Sequence, residues 1–167
     1  MELIPILKAR KSSQSFDFTF INVVQPWHHL NSGASHEVAL AVAQAYPDKY
    51  WHFSTVLFNH IEEFYDTELY ETSRKQVYEK LIKLATDNLD SIDAATLWDL
   101  VEIKPSADGK PHNSGNKVTA DLKYFTKYQR TCGVHVTPTV FVNGVECSQI
   151  GSSTDVNKIV DILCSQI

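Results

Sequence analysis

The chain has no Cys-x-x-Cys. Its three cysteines, Cys132, Cys147 and Cys164, have neither that spacing nor the spacing of a metal finger. An odd, sparse set speaks against a disulfide framework and for a reducing compartment, with the cytoplasm as the expected location. No apolar run approaches the ~20 residues that a membrane-spanning helix needs. The first residues, Met1 to Arg10, carry an early acid, a proline and only a short apolar stretch, which makes a poor secretory signal. No serine sits in a nucleophile elbow, no glycine-rich loop could cradle a phosphate, and no two histidines stand four residues apart. Repeats and low-complexity segments are absent too. With a net charge of −5, nucleic acid and anionic membrane are poor candidates for the main partner.

The 167 residues are 43% hydrophobic and 21% charged, the balance of an ordinary soluble globular protein. They suffice for one domain with a full core. Asn143-Gly144, between Val140-Phe141-Val142 and Val145, suits the positive φ angles of a type I′ turn and predicts a hairpin. Phe16 to Val24 alternates and is rich in β-formers, which predicts a strand ending at Pro26. Ile4–Ala9 reads as the end of a helix, and Lys11–Ser15 as a loop. Further helices are expected from Ser35, with Val38, Ala41, Val42 and Ala45 on one face, and from about Asp48, with Phe53, Val56, Leu57, Ile61 and Phe64. Ser73 and Ser91 are candidate caps for two more, the second turning Ala94, Leu97, Trp98 and Val101 inward. After a loop at Pro105–Pro111 a helix runs from about Asn116 to Cys132 and ends at Gly133; a last one starts at Ser153 or Thr154. This order describes an α/β protein, a small mixed sheet with helices packed on it.

Three segments in order resemble the thioredoxin superfamily, most closely its DsbA-like branch. They are Phe18 to Val24 followed by Gln25-Pro26-Trp27-His28; Tyr50-Trp51-His52-Phe53 with Leu57-Phe58; and Val136-Thr137-Pro138-Thr139-Val140-Phe141-Val142-Asn143-Gly144, the most specific of the three. The resemblance implies a single thioredoxin-like domain over residues 1–167 with a helical insertion at about 35–132. It also implies a cis bond at Thr137-Pro138, where X-Pro bonds are ordinarily trans. In that family the residue before the proline pairs with an extended substrate backbone, a role carried here onto Thr137. The departure is at the front: the family's first strand and CxxC turn have no counterpart. Either Phe16–Val24 pairs directly with the hairpin, or Glu2–Leu7 substitutes for the lost strand, or a second copy fills the gap in a strand-sharing homodimer.

Were Phe16–Val24 a parallel strand, the loop after it and the Thr137-Pro138 turn would share one rim of the sheet. Binding sites of open α/β sheets favour that rim. Val136, Thr137, Pro138, Trp27 and His28 are then the candidate binding residues; the other reading is that Trp27 fills the core and the histidines are solvated. A metal held by His28, His29 and His36 is poorly supported by their spacing. Cys132, at a helix C-terminus whose dipole opposes a thiolate, reads as a small core residue. The acids near Glu62, Glu63 and Asp66 read as a solvated helix end. Without paired thiols there is no dithiol exchange, so the expectation is a non-catalytic module that binds an extended peptide or partner protein, with no cofactor and no metal. The alternative is a thiol-disulfide oxidoreductase, or a glutathione-dependent relative, whose catalytic N-terminal segment lies outside this chain.

Overall fold

The structure, a computed structural model, describes residues 3–10 and 16–166. Two compact units make up the chain: residues 22–127 form one, and residues 1–21 with 128–167 form the other. The expected loop at Lys11–Ser15 lies outside the described residues.

The continuous unit is helical. Helix α2 (Ser32–Ala45) lies at its centre and packs on α3 (Tyr50–Asn59), α5 (Arg74–Asn88) and α6 (Ala94–Val101). The stripe predicted on α2 is there, with Val38, Ala41 and Val42 fully buried. Ser73 caps α5 through a reciprocal capping box with Gln76, and Val77, Leu81 and Leu84 point inward as their spacing requires. Two details differ from expectation. The helix begun near Asp48 stops at Asn59; Ile61–Phe64 is a 3₁₀ turn and α4 (Asp66–Leu69) is a single turn. The cap of α6 is Asp93, whose carboxylate accepts from the N–H groups of Ala95 and Thr96, while Ser91 adopts φ 64° and Ala94 is exposed. A left-handed residue cannot serve as N-cap, a position that wants an extended backbone.

Helix α7 (Thr119–Thr131) begins in this unit, where Val118, Leu122 and Phe125 join the core, and its last turn belongs to the other unit. Gly133, at φ 70°, ends it as a left-handed cap. The discontinuous unit packs α1 (Leu3–Ala9) on α8 (Val156–Cys164) around Leu7, Ile150, Val160 and Leu163. Asp155, rather than Ser153 or Thr154, caps α8. Strands β1 (Phe141–Val142) and β2 (Val145–Glu146) form the predicted hairpin, with Asn143 and Gly144 at φ 50° and 82°.

The strand expected over Phe16–Val24 does not form, and among the described residues the sheet is two-stranded and antiparallel instead of mixed. Alternation assigns side chains to faces, but a strand exists only with a neighbour to bond, and β1 and β2 bond each other. Phe18 and Phe20 are accordingly about half exposed, and Phe16 packs on the α1–α8 core. Leu3–Leu7 is helical, so it is no substitute strand. Among the described residues no helix is long and apolar enough to cross a membrane.

Candidate functional site

The five candidate binding residues fall into two groups. Val136, Thr137 and Pro138 lie in the discontinuous unit, and Trp27 and His28 in the continuous one.

The first group is a bend between the end of α7 and β1. The N–H of Val134 donates to the carbonyl of Gln129 at 2.9 Å, which closes the chain behind the helix. The Thr137-Pro138 bond is cis, and the Thr139 hydroxyl donates to the Val136 carbonyl at 2.7 Å across it. All three residues are exposed, Val136 to 67%. On the adjoining hairpin Val140 and Val142 pack on the core, whereas Phe141 and Val145 are exposed. Gln129, beneath the bend, is buried, and its Oε1 has no hydrogen-bond partner among the described residues.

The second group is the turn Gln25–Leu30. His28 and His29 N–H groups both point at the Gln25 carbonyl, and Ser32 ties the turn to the start of α2 by accepting from the Gln25 N–H at 3.2 Å. The His29 ring stacks on Tyr65 with centroids 5.5 Å apart, and the Leu30 N–H donates to Asp66 at 3.1 Å. Trp27 is 71% exposed, so it does not fill the core.

Two buried polar clusters of the continuous unit escaped sequence reasoning. Glu37, on the inner side of α2 and 3% exposed, accepts from the Tyr78 hydroxyl at 2.5 Å, and its two oxygens accept from one Arg74 guanidinium nitrogen at 2.8 and 3.1 Å. Burial, and then the bond to the Glu37 carboxylate, push the Tyr78 hydroxyl well above the usual tyrosine range. The signal was present in the sequence: a carboxylate among the apolar positions of α2 must find a cation or hydroxyl. In the other cluster Asn22 Oδ1 meets His36 Nδ1 at 2.9 Å and accepts from the Tyr50 hydroxyl at 3.3 Å. Burial lowers the His36 pKa, partly offset by a hydrogen bond to the Val23 backbone. His36 is thus turned to Asn22, away from any ligand set with His28 and His29.

Cys132 is exposed, not buried as expected, because it follows the last turn of α7 on the solvent side; Cys147 and Cys164 are half-buried, and no disulfide joins any of the three. A groove of about 700 Å³ runs between α5 and α6 over Ile82 and Trp98. Its cations are already engaged, Arg74 by Glu37, Lys75 by Glu79 at 3.8 Å and Lys83 by Asp87 at 2.7 Å, which leaves no net charge there to select a ligand. No family model, no curated protein and no solved structure matches the chain.

Proposed function

We propose that this is a thioredoxin-like protein of the DsbA-like branch without a redox dithiol, acting as a non-catalytic module that binds an extended peptide or a partner protein. The binding edge is the Val136–Pro138 bend with the adjoining hairpin. The observation that carries this reading is the exposure of three apolar side chains there, Val136, Phe141 and Val145, beside a two-stranded sheet. An extended chain added along such a sheet gains main-chain hydrogen bonds, and apolar side chains beside it supply contact area. Trp27 and His28 are exposed on their own turn in the continuous unit.

Peptide binding is tested by fluorescence anisotropy with labelled extended peptides on the full chain and on Val136→Asp. Saturable binding that the substitution weakens supports the reading; equal binding by both proteins removes the proposed edge. Insulin reduction by this chain should be blank, since exchange needs an attacking and a resolving thiol together. Turnover would favour the oxidoreductase reading instead.

A strand-sharing homodimer is a second reading, favoured by one observation: Phe16–Val24 is rich in β-formers yet forms no strand, and the hairpin has no third strand among the described residues. Such pairing is a common route to covering sheet edges. Sedimentation that finds a folded monomer at micromolar concentration rules it out.

A further inference from the structure

Trp27, Leu30 and Tyr70 are 71%, 76% and 87% exposed. They lie on segments of the continuous unit that dock on each other. The His29–Tyr65 stack and the Leu30–Asp66 hydrogen bond dock the turn that carries Trp27 and Leu30 onto the segment Tyr65–Asp66. Asp66 and Tyr70 are four residues apart across α4 and share its side. Aromatic and aliphatic side chains gathered on neighbouring segments and left in water mark a contact surface.

The segments that carry these side chains are acidic. Lys49 is the one lysine or arginine between Ser12 and Ser73, and it sits beside Asp48 at 3.5 Å. Glu62, Glu63, Asp66, Glu68 and Glu71 surround Tyr65 and Tyr70 in the chain, and all five are exposed. Glu63 is bound by His60 at 2.6 Å, and Asp66 by the Leu30 N–H; Glu62, Glu68 and Glu71 have no ion-pair partner among the described residues. More than a solvated helix end, these segments combine exposed apolar side chains with negative charge.

We infer that this face docks a basic segment of another polypeptide, with Lys or Arg side chains interleaved with apolar ones. Lysine and arginine suit both halves of the surface: their stems lie on Trp27 and Leu30, their charged ends meet the carboxylates, and a guanidinium over an indole or phenol ring adds a cation–π attraction. Opposite charge also speeds encounter and excludes acidic partners. A second copy is a poor occupant, since the chain itself carries −5. This inference rests on the binding-module reading for the kind of activity and on the continuous unit alone for the chemistry.

The test uses the full chain and two labelled synthetic peptides. One mixes Lys, Arg and Leu; the other replaces each cation with Glu. The basic peptide should bind, the acidic one should not, and affinity should fall steeply between about 50 mM and about 500 mM salt. Glu68→Lys with Glu71→Lys should weaken binding by about tenfold or more, and Trp27→Ala by a similar factor. Circular dichroism checks that each variant is folded. Equal affinity for the two peptides overturns the inference, as does full affinity in the charge-reversed protein. If the basic peptide fails while an uncharged extended peptide binds and Val136→Asp abolishes that binding, this inference falls and the hairpin edge stands. Self-association abolished by the same charge reversals would put a second copy on the face, which also overturns it.

Discussion

Glu37 shows how much a single buried charge asks of its neighbours. At 3% exposure it has lost its water and takes hydrogen bonds from Arg74 and Tyr78 instead. Removing one donor leaves the carboxylate short, at a cost of about 1–3 kcal/mol. Tyr78→Phe should therefore lower the unfolding free energy by that amount, measured by chemical denaturation at pH 7. The folded-state pKa of Tyr78 is raised, so its contribution is complete below the ordinary tyrosine value and declines as pH rises above it. Wild type should lose stability more steeply above about pH 10 than Tyr78→Phe. His36 has the opposite sign. Its folded pKa lies below the ordinary 6.5, so the unfolded chain takes up the extra proton and stability falls as pH drops below about 6.5, by up to about 1.4 kcal/mol per pH unit. Denaturant melts at pH 7 and pH 5 should show this slope in wild type and not in His36→Gln; equal slopes would contradict it. Gln129 offers a gain, because Gln129→Met removes a buried acceptor that has no partner among the described residues. A rise in stability of about 1 kcal/mol is expected.

Among elements, α5 and α6 contrast a legible cap with a misleading one. Ser73 and Gln76 stand three apart before an apolar stripe, the pattern of a capping box, and Ser73→Ala should cost about 1 kcal/mol. Ser91 carries the same residue type but takes a left-handed backbone, so Ser91→Gly should stabilise by about 1 kcal/mol whereas Asp93→Ala destabilises. Thermal melts of the variants decide both. The helices were readable because each carries its own 3.6-residue stripe; Val38, Ala41 and Val42 need no knowledge of the rest of the chain to declare their face. The hairpin was readable because Asn143-Gly144 states a backbone requirement locally. Phe16–Val24 was not, since its alternation promises a strand only if some distant segment offers an edge. Asp93 was overlooked for a different reason: Ser91, Asp93 and their neighbours all permit a cap, and only the backbone angles choose.

At the scale of the whole molecule, residues 22–127 are a continuous segment with its own core from Ala34 to Val118. Expressed alone, this segment should keep a helical spectrum and a cooperative thermal transition; a broad, non-cooperative melt would show that its core needs the other unit. The candidate site was legible in part. The Thr137-Pro138 bend and the hairpin follow from a short local motif; the exposure of Trp27 does not, since a turn at Pro26 allows its side chain either to fill the core or to face water. Glu37 with Arg74 and Tyr78, and Asn22 with His36 and Tyr50, unite residues from different helices, and periodicity does not say which helix faces which. The account turns on whether the bend at Val136–Pro138 receives another chain. Backbone amide NMR of the full protein, titrated with an extended peptide, tests that most directly. Saturable shifts at Val136, Thr137 and the hairpin residues Phe141 and Val145 are the predicted result; a peptide that binds without moving those signals, or moves none at all, contradicts it.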